Sequence, residues 1–192
     1  PPEGWRVANR DNAKPVMAAL LNGDPVRLQD ETGDGVDKSW LMGSGLTFVD
    51  DAENCIRLTH ARLSEKTDDL ILSSGTLALG IGCERGVASE DLATFLFDVF
   101  KEHDLGKHAI ACIATIDLKE DEAAIKEMAR LGNVPVRLFD AARLDEETPR
   151  VTDPSAYVFE TIGTHSVSEA AALAAAGPDA ELIVLKQKRN GM

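Results

Sequence analysis

Aromatic side chains are scarce in this 192-residue chain, at 5% with one Tyr and two Trp. It therefore lacks the ring-rich face on which single-stranded nucleic acid stacks. Basic residues are in the minority: 20 Lys and Arg stand against 33 Asp and Glu, a formal charge of −13. With no basic stripe to neutralise phosphates, a nucleic-acid partner is excluded. Cysteine occurs three times (Cys55, Cys83, Cys112), an odd count at wide spacing. That fits reduced thiols in the cytoplasm, not a disulfide scaffold. No apolar run approaches ~18 residues, so no membrane span is predicted, and the opening Pro-Pro-Glu-Gly-Trp lacks the parts of a signal peptide. The chain begins without Met, as an excised piece of a longer protein would. What is present, 44% hydrophobic and 28% charged residues, describes a soluble globular protein long enough to bury a core.

Residues 1–75 read as a small, less regular α/β segment. Strands are expected at 5–8, 26–28, 55–59 and 70–72, with a helix over 13–21 stopped by Asn22-Gly23. A polar, Gly-rich loop covers 30–45 and a charged turn covers 64–69. From residue 76 onward short apolar runs alternate with helical stretches. Strands are predicted at 76–81, 109–116, 135–139, 157–162 and 182–185, and helices at 90–103, 122–131 and 167–176, with one helical turn at 141–144. The pre-proline segment 150–155 is the expected flexible loop. Strands that are continuously apolar, each followed by a helix, predict an α/β domain over 76–192 whose largely parallel sheet is covered on both faces.

Three junctions carry unusual residues and should open at one end of such a sheet. The first, Gly80-Ile81-Gly82-Cys83-Glu84-Arg85-Gly86, has glycines that let backbone N–H groups approach a phosphate or carboxylate. It equally fits a tight turn with Ser89 as a helix N-cap. The spacing is not the dinucleotide fingerprint. Cys83 is either a small buried apolar residue or, if exposed beside Arg85, an activated thiol. In the second, Thr115-Ile116-Asp117-Leu118-Lys119-Glu120-Asp121-Glu122, Asp117 and Glu120 have the form of a capping box. That leaves Lys119 unexplained at a helix start unless something anionic binds there. The third, Gly163-Thr164-His165-Ser166-Val167-Ser168-Glu169, repeats the box with Ser166 and Glu169 and leaves Thr164 and His165 as candidates. His165 is either a packing residue or a general acid or base. The run 144–147 reads as solvated surface, and the basic end 186–189 as an exposed tail or as cationic lining. His60, His103, His108 and the cysteines lack metal-ligand spacing, and no G-x-S-x-G or Walker lysine is present. No metal and no cofactor are expected.

Taken in order, the three motifs, extended through Ala170-Ala171-Ala172 and followed by Leu185-Lys186, resemble the carboxyl-terminal domain of the CbiG/CobE family of cobalamin biosynthesis. Residues 1–75 more faintly resemble the middle region that precedes it in CbiG proteins. The resemblance implies a three-layer α/β/α domain with a mixed sheet and a role in corrin-ring synthesis. CbiG is a hydrolase acting on carbon–carbon bonds: it opens the ring-A lactone of cobalt-precorrin-5A and releases a two-carbon unit as acetaldehyde. CobE-like proteins are similar to this domain alone and lack an agreed catalytic role, so a non-catalytic corrinoid carrier is the alternative. The family's amino-terminal domain with its glycine-rich motif is absent from this chain. The implied partners are a corrinoid or precorrin intermediate and other enzymes of the pathway, possible fusion partners included.

Lactone opening needs an activated water, a stabilised oxyanion and a proton for the leaving oxygen. Asp117, His165 and Glu122 are the expected acid and base groups. Gly80, Gly82, Cys83, Arg85, Thr115, Lys119, Thr164, Ser166 and Lys186 are the expected substrate-binding residues. A corrinoid intermediate carries several carboxylates, so an acidic protein must hold it through local features, with Arg85, Lys119 and Lys186 as the cations. Salt at ~0.15 M screens the overall repulsion beyond ~8 Å.

Overall fold

A computed structural model of the chain describes residues 1–2, 4–33, 36–62 and 67–192. The chain divides into two units, Pro1–Thr76 with Asp104–Ala109, and Leu77–His103 with Ile110–Met192.

The first unit contains β1 (Trp5–Val7), α1 (Ala13–Asn22), β2 (Pro25–Asp30), α2 (Ser39–Met42), β3 (Thr47–Val49), β4 (Cys55–Leu58) and β5 (Leu70–Ser74). They form a five-stranded sheet in the order β1-β5-β4-β2-β3, parallel except where β1 runs against β5. Val26, Ile56, Leu58, Leu70 and Leu72 bury one face against Val16 and Ala19 of α1. Burial of that apolar surface is the main force ordering a unit of this size. Helix α1 stops where Gly23 enters the left-handed region at φ +75°, a conformation open to a residue without Cβ. The expected loop over 30–45 is interrupted by α2, which seats Leu41 in the core and sets Trp40 edge-on to Trp5 at 5.4 Å. The apolar run Trp40-Leu41-Met42 breaks an otherwise polar stretch at that turn. Residues 64–66 of the expected 64–69 turn lie outside the described residues.

The second unit contains β6 (Leu77–Gly80), α3 (Ser89–Glu102), β7 (Ile110–Ile116), α4 (Ala123–Gly132), β8 (Val136–Phe139), α5 (Ala141–Asp145), α6 (Ala156–Ile162) and α7 (Ser168–Ala176). The sheet β6-β7-β8 is wholly parallel. Successive side chains of β7 point to opposite faces. Ile113 packs with Ile81, with Leu92 of α3 and with Ala124, Ile125 and Met128 of α4. Ala114 and Ile116 pack with Leu144 of α5 and with Ala170 and Ala171 of α7. Helices on both faces give the expected three-layer α/β/α arrangement.

Two expected strands of this unit are absent. Residues 157–162 form helix α6, although Tyr, Val, Phe, Thr and Ile favour strands. The ends decide it: the Ser155 hydroxyl accepts the Val158 N–H at 3.3 Å, and Gly163 closes the helix at φ +87°. Residues 182–185 pair with no strand among the described residues. Ile183 and Leu185 stay exposed, and the Lys186 N–H that follows is taken by the Glu169 carboxylate at 3.0 Å. The segment 150–155 is also not loose. Arg150 bonds Glu147 at 2.7 Å and the carbonyl of Ala180, and Ser155 N–H donates to the His165 carbonyl at 2.8 Å.

Candidate functional site at the strand ends

At the carboxyl end of the sheet, β6 and β7 are pinned together just before their loops diverge. The buried Thr115 hydroxyl donates to the Ile81 carbonyl at 2.7 Å, and Ile81 N–H donates to the Ala114 carbonyl at 2.9 Å. Thr115 thus supports the site from the core. Beyond it, Glu122 reaches across between the two loops. One carboxylate oxygen accepts the Gly86 N–H at 3.1 Å, and the other lies 3.5 Å from Lys119 Nζ, with both side chains largely buried. Arg85 makes the return crossing, to Asp121 at 2.9 Å and to the Leu118 carbonyl at 2.8 Å.

Neither expected cap of this region forms. Asp117 opens a 3-10 turn (Asp117–Lys119), and α4 starts only at Ala123, so Asp117 and Glu120 do not frame its first turn. Asp117 is exposed, and its carboxylate has no hydrogen bond or ion pair among the described residues. Ser89 is the first residue of α3, and Ala88 holds the cap position. Cys83 packs against the core between the sheet and α3 and α4. Burial pushes its thiol above the ordinary value, and Lys119 only partly offsets this. It is a packing residue and not an activated thiol.

The third junction leaves a helix, α6, and not a strand. Its backbone lies over β6, because a Cβ on Gly80 would come 1.8 Å from the Ser168 carbonyl oxygen, and one on Gly82 would come 3.3 Å from Val167 Cβ. The closely spaced glycines therefore admit the first turn of α7. Gly82 joins the first junction to the third as Glu122 joins it to the second.

Within the third junction, the buried Thr164 hydroxyl donates to the Ser166 carbonyl at 3.1 Å. Ser166 Oγ is buried without a hydrogen-bond partner among the described residues. The expected box of Ser166 and Glu169 is not made. Val167 occupies the cap position, and Glu169 turns to Thr152, Asp153 and the Lys186 N–H. Burial raises the Glu169 pKa, but these donors outweigh it and hold the carboxyl below its usual range.

His165 donates from Nδ1 to Asp145 Oδ1 at 2.8 Å, and the Phe159 ring stacks on it at 4.4 Å between centroids. Sequence reasoning missed Asp145, because it lies in the run 144–147 read as solvated surface. In fact Leu144 is fully buried, and Glu147 is buried between Arg143 at 2.8 Å and Arg150 at 2.7 Å. The signal available was Leu144, an apolar residue anchoring a short helix behind an Asp140 cap that accepts the Arg143 N–H at 2.7 Å.

The basic end is neither a free tail nor an open lining. Lys186 and Lys188 converge on Asp153 at 3.5 and 2.6 Å, and Arg189 pairs with Asp98 at 2.7 Å while lying over the Phe95 ring. Arg85, Lys119 and Lys186 thus each have an acidic partner already. Among the described residues no group of three metal-ligating side chains stands together, and no helix is long and apolar enough to cross a membrane.

Comparison with known proteins follows the same division of the chain. Residues 2–72 match the family described as cobalamin biosynthesis central region, and residues 77–192 match cobalamin synthesis G C-terminus. Along 205 aligned residues the chain is 25% identical to the cobalt-precorrin-5A hydrolase of Priestia megaterium, covering 97% of the chain and 54% of that protein. The chain therefore spans about half the length of this relative. Over 110 residues it is 36% identical to Protein CobE of Sinorhizobium sp, covering 57% of the chain and 71% of CobE. The crystal structure of CobE, a protein from the cobalamin (vitamin B12) biosynthetic pathway, overlays with a TM-score of 0.56 at 36% identity, over 59% of this chain and 83% of that one. The chain belongs to the cobalamin synthesis G C-terminus family, and its place is in cobalamin biosynthesis.

Proposed function

We propose that the chain is part of a cobalt-precorrin-5A hydrolase that opens the ring-A lactone and releases acetaldehyde, acting in the cytoplasm on a corrinoid intermediate. One observation carries this reading: likeness to the hydrolase runs through 97% of the chain, central region included, whereas likeness to CobE is confined to 110 residues. In this scheme Asp117, an exposed carboxylate without a partner among the described residues, activates water, and His165 supplies or takes the second proton. Glu122, buried and engaged with Gly86 and Lys119, holds the loops in place. Backbone N–H groups near Gly82 face the developing oxyanion. Arg85 and Lys186 exchange their exposed partners, Asp121 and Asp153, for ring carboxylates.

A non-catalytic corrinoid carrier is the second reading, favoured by the number of polar groups here that are already satisfied internally, Thr115, Thr164 and Glu169 among them. The test mixes the purified chain with cobalt-precorrin-5A and follows the visible spectrum together with acetaldehyde. Acetaldehyde that disappears when Asp117 and His165 are both replaced by Ala supports the hydrolase. A spectral shift alone supports the carrier, and neither signal overturns both readings.

A further inference from the structure

We infer that Asp145 is a positioning residue that fixes His165 in its Nδ1–H tautomer, so that Nε2 is the nitrogen offered for proton transfer. The inference rests on the proposal that His165 is an acid or base of the site, and it extends that proposal to a residue outside the three junctions.

One oxygen of Asp145 organises His165 completely. Oδ1 accepts the ring Nδ1–H at 2.8 Å, the backbone N–H of His165 at 3.3 Å and the Thr148 hydroxyl at 2.9 Å. The hydrogen bond from His165 keeps the Asp145 carboxyl below its usual range, against a smaller opposing effect of burial. It is therefore ionised at neutral pH and can only accept, which obliges Nδ1 to carry the hydrogen. Free histidine prefers the other tautomer, with the hydrogen on Nε2, so the protein has reversed an intrinsic preference.

The ring is also held in its plane. Phe159 stacks on it with an interplanar angle of 24°, and a flip would exchange the Nδ1 bond for a carbon edge. Asp145 is held in turn, because it ends α5 directly after the fully buried Leu144. On the far side of the ring Nε2 has no hydrogen-bond partner among the described residues, and 32% of the side chain remains exposed. A carboxylate behind one imidazole nitrogen and a free lone pair on the other is the arrangement that orients a general base.

The test needs no substrate for its first part. The 15N-labelled chain is observed by two-bond 1H–15N correlation at about pH 8.5, two units above the ordinary imidazole value of ~6.5. His165 is identified among four histidines by the signals lost in His165→Gln. The expected pattern is a protonated Nδ1 and an unprotonated Nε2. Asp145→Asn should shift the ring to mostly Nε2–H and lower acetaldehyde turnover by about a hundredfold or more, the lower end of acid–base effects. Asp145→Glu should restore Nδ1–H. A native ring that is mainly Nε2–H, or an Asp145→Asn spectrum with the tautomer unchanged and only a lowered Tm, would overturn the inference. The expected tautomer in a chain that releases no acetaldehyde would uphold it while removing the hydrolase reading.

Discussion

Glu169 grips Thr152 twice: one carboxylate oxygen accepts the Thr152 hydroxyl at 2.6 Å, and the other accepts the Thr152 backbone N–H at 2.8 Å. The Lys186 N–H at 3.0 Å completes a junction of the segment before α6, the first turn of α7 and the carboxyl-terminal stretch. A carboxylate in the first turn of a helix also meets the positive end of the macrodipole. Three stretches distant in sequence depend on this one buried side chain.

Replacing Glu169 by Gln keeps the shape but points an amide NH2 at N–H donors. The expected loss is about 2–4 kcal/mol, the range for a buried charge-assisted network left partly unsatisfied. Urea unfolding of the two chains measures it, and a difference near zero would mean the carboxylate is not the junction's main tie.

Acid should weaken the fold through the same group. The folded pKa of Glu169 lies below its unfolded value, since its hydrogen bonds outweigh burial, and that of Asp145 lies below through its bond from His165. Such groups contribute stability that is present above the unfolded values of ~3.9–4.3 and is lost as pH falls through the folded ones. Tm is expected to hold from neutrality to about pH 5 and to drop below that. In Glu169→Gln the acid drop should be shallower.

Gly80→Ala and Gly86→Ala should differ sharply. At Gly80 the new Cβ meets the backbone of Ser168 at 1.8 Å and of Ala172 at 3.0 Å, so α7 must lift off the sheet. At Gly86 nothing lies within 4 Å, and only the left-handed φ of +77° opposes the change. The second variant should lose about 1–2 kcal/mol and stay folded, as expected for a non-glycine residue in that region. The first should not give a cooperative thermal transition by circular dichroism.

Ser166 Oγ is buried without a partner among the described residues, an arrangement that costs roughly 1–3 kcal/mol. Ser166→Ala is expected to leave Tm unchanged or to raise it. If Ser166 is also a substrate-binding residue, the same variant will bind the corrinoid intermediate more weakly, and spectroscopic titration reads that directly. Equal affinity would remove Ser166 from the site.

Binding should follow local cations, Arg85 and Lys186 foremost, more than net charge. Arg85→Ala with Lys186→Ala is expected to weaken corrinoid binding at ~0.15 M salt at least tenfold, because exposed charges elsewhere are screened beyond ~8 Å. The pairs these residues now make are with the exposed Asp121 and Asp153, so Tm should change little. A double variant that binds as tightly as the parent would exclude these cations from the site.

Much of the second unit was legible in advance because its signals are local and periodic. The 90–103 stripe and the continuous apolar run at β7 each bury a pattern that can be counted along the chain. The exceptions have identifiable competitors. At 157–162 strand propensity lost to a serine cap and a left-handed glycine, and at 182–185 an apolar run found no neighbouring strand and gave its following N–H to Glu169.

The sequence by itself determined that the chain is acidic, poor in aromatics, built as α/β, and marked by three ordered motifs that carry its family likeness. Tertiary structure alone decided what those motif residues touch. Capping boxes that look complete along the chain do not form, because α4 begins only at Ala123, beyond Asp117 and Glu120, and Glu169 turns to backbone donors in distant segments. Gly80 and Gly82 give α7 room to approach β6, and Asp145 came from an apparent surface run to hold His165. Hydrogen bonds are short-ranged and blind to sequence separation, so a side chain's partner is fixed only when packing brings the two together.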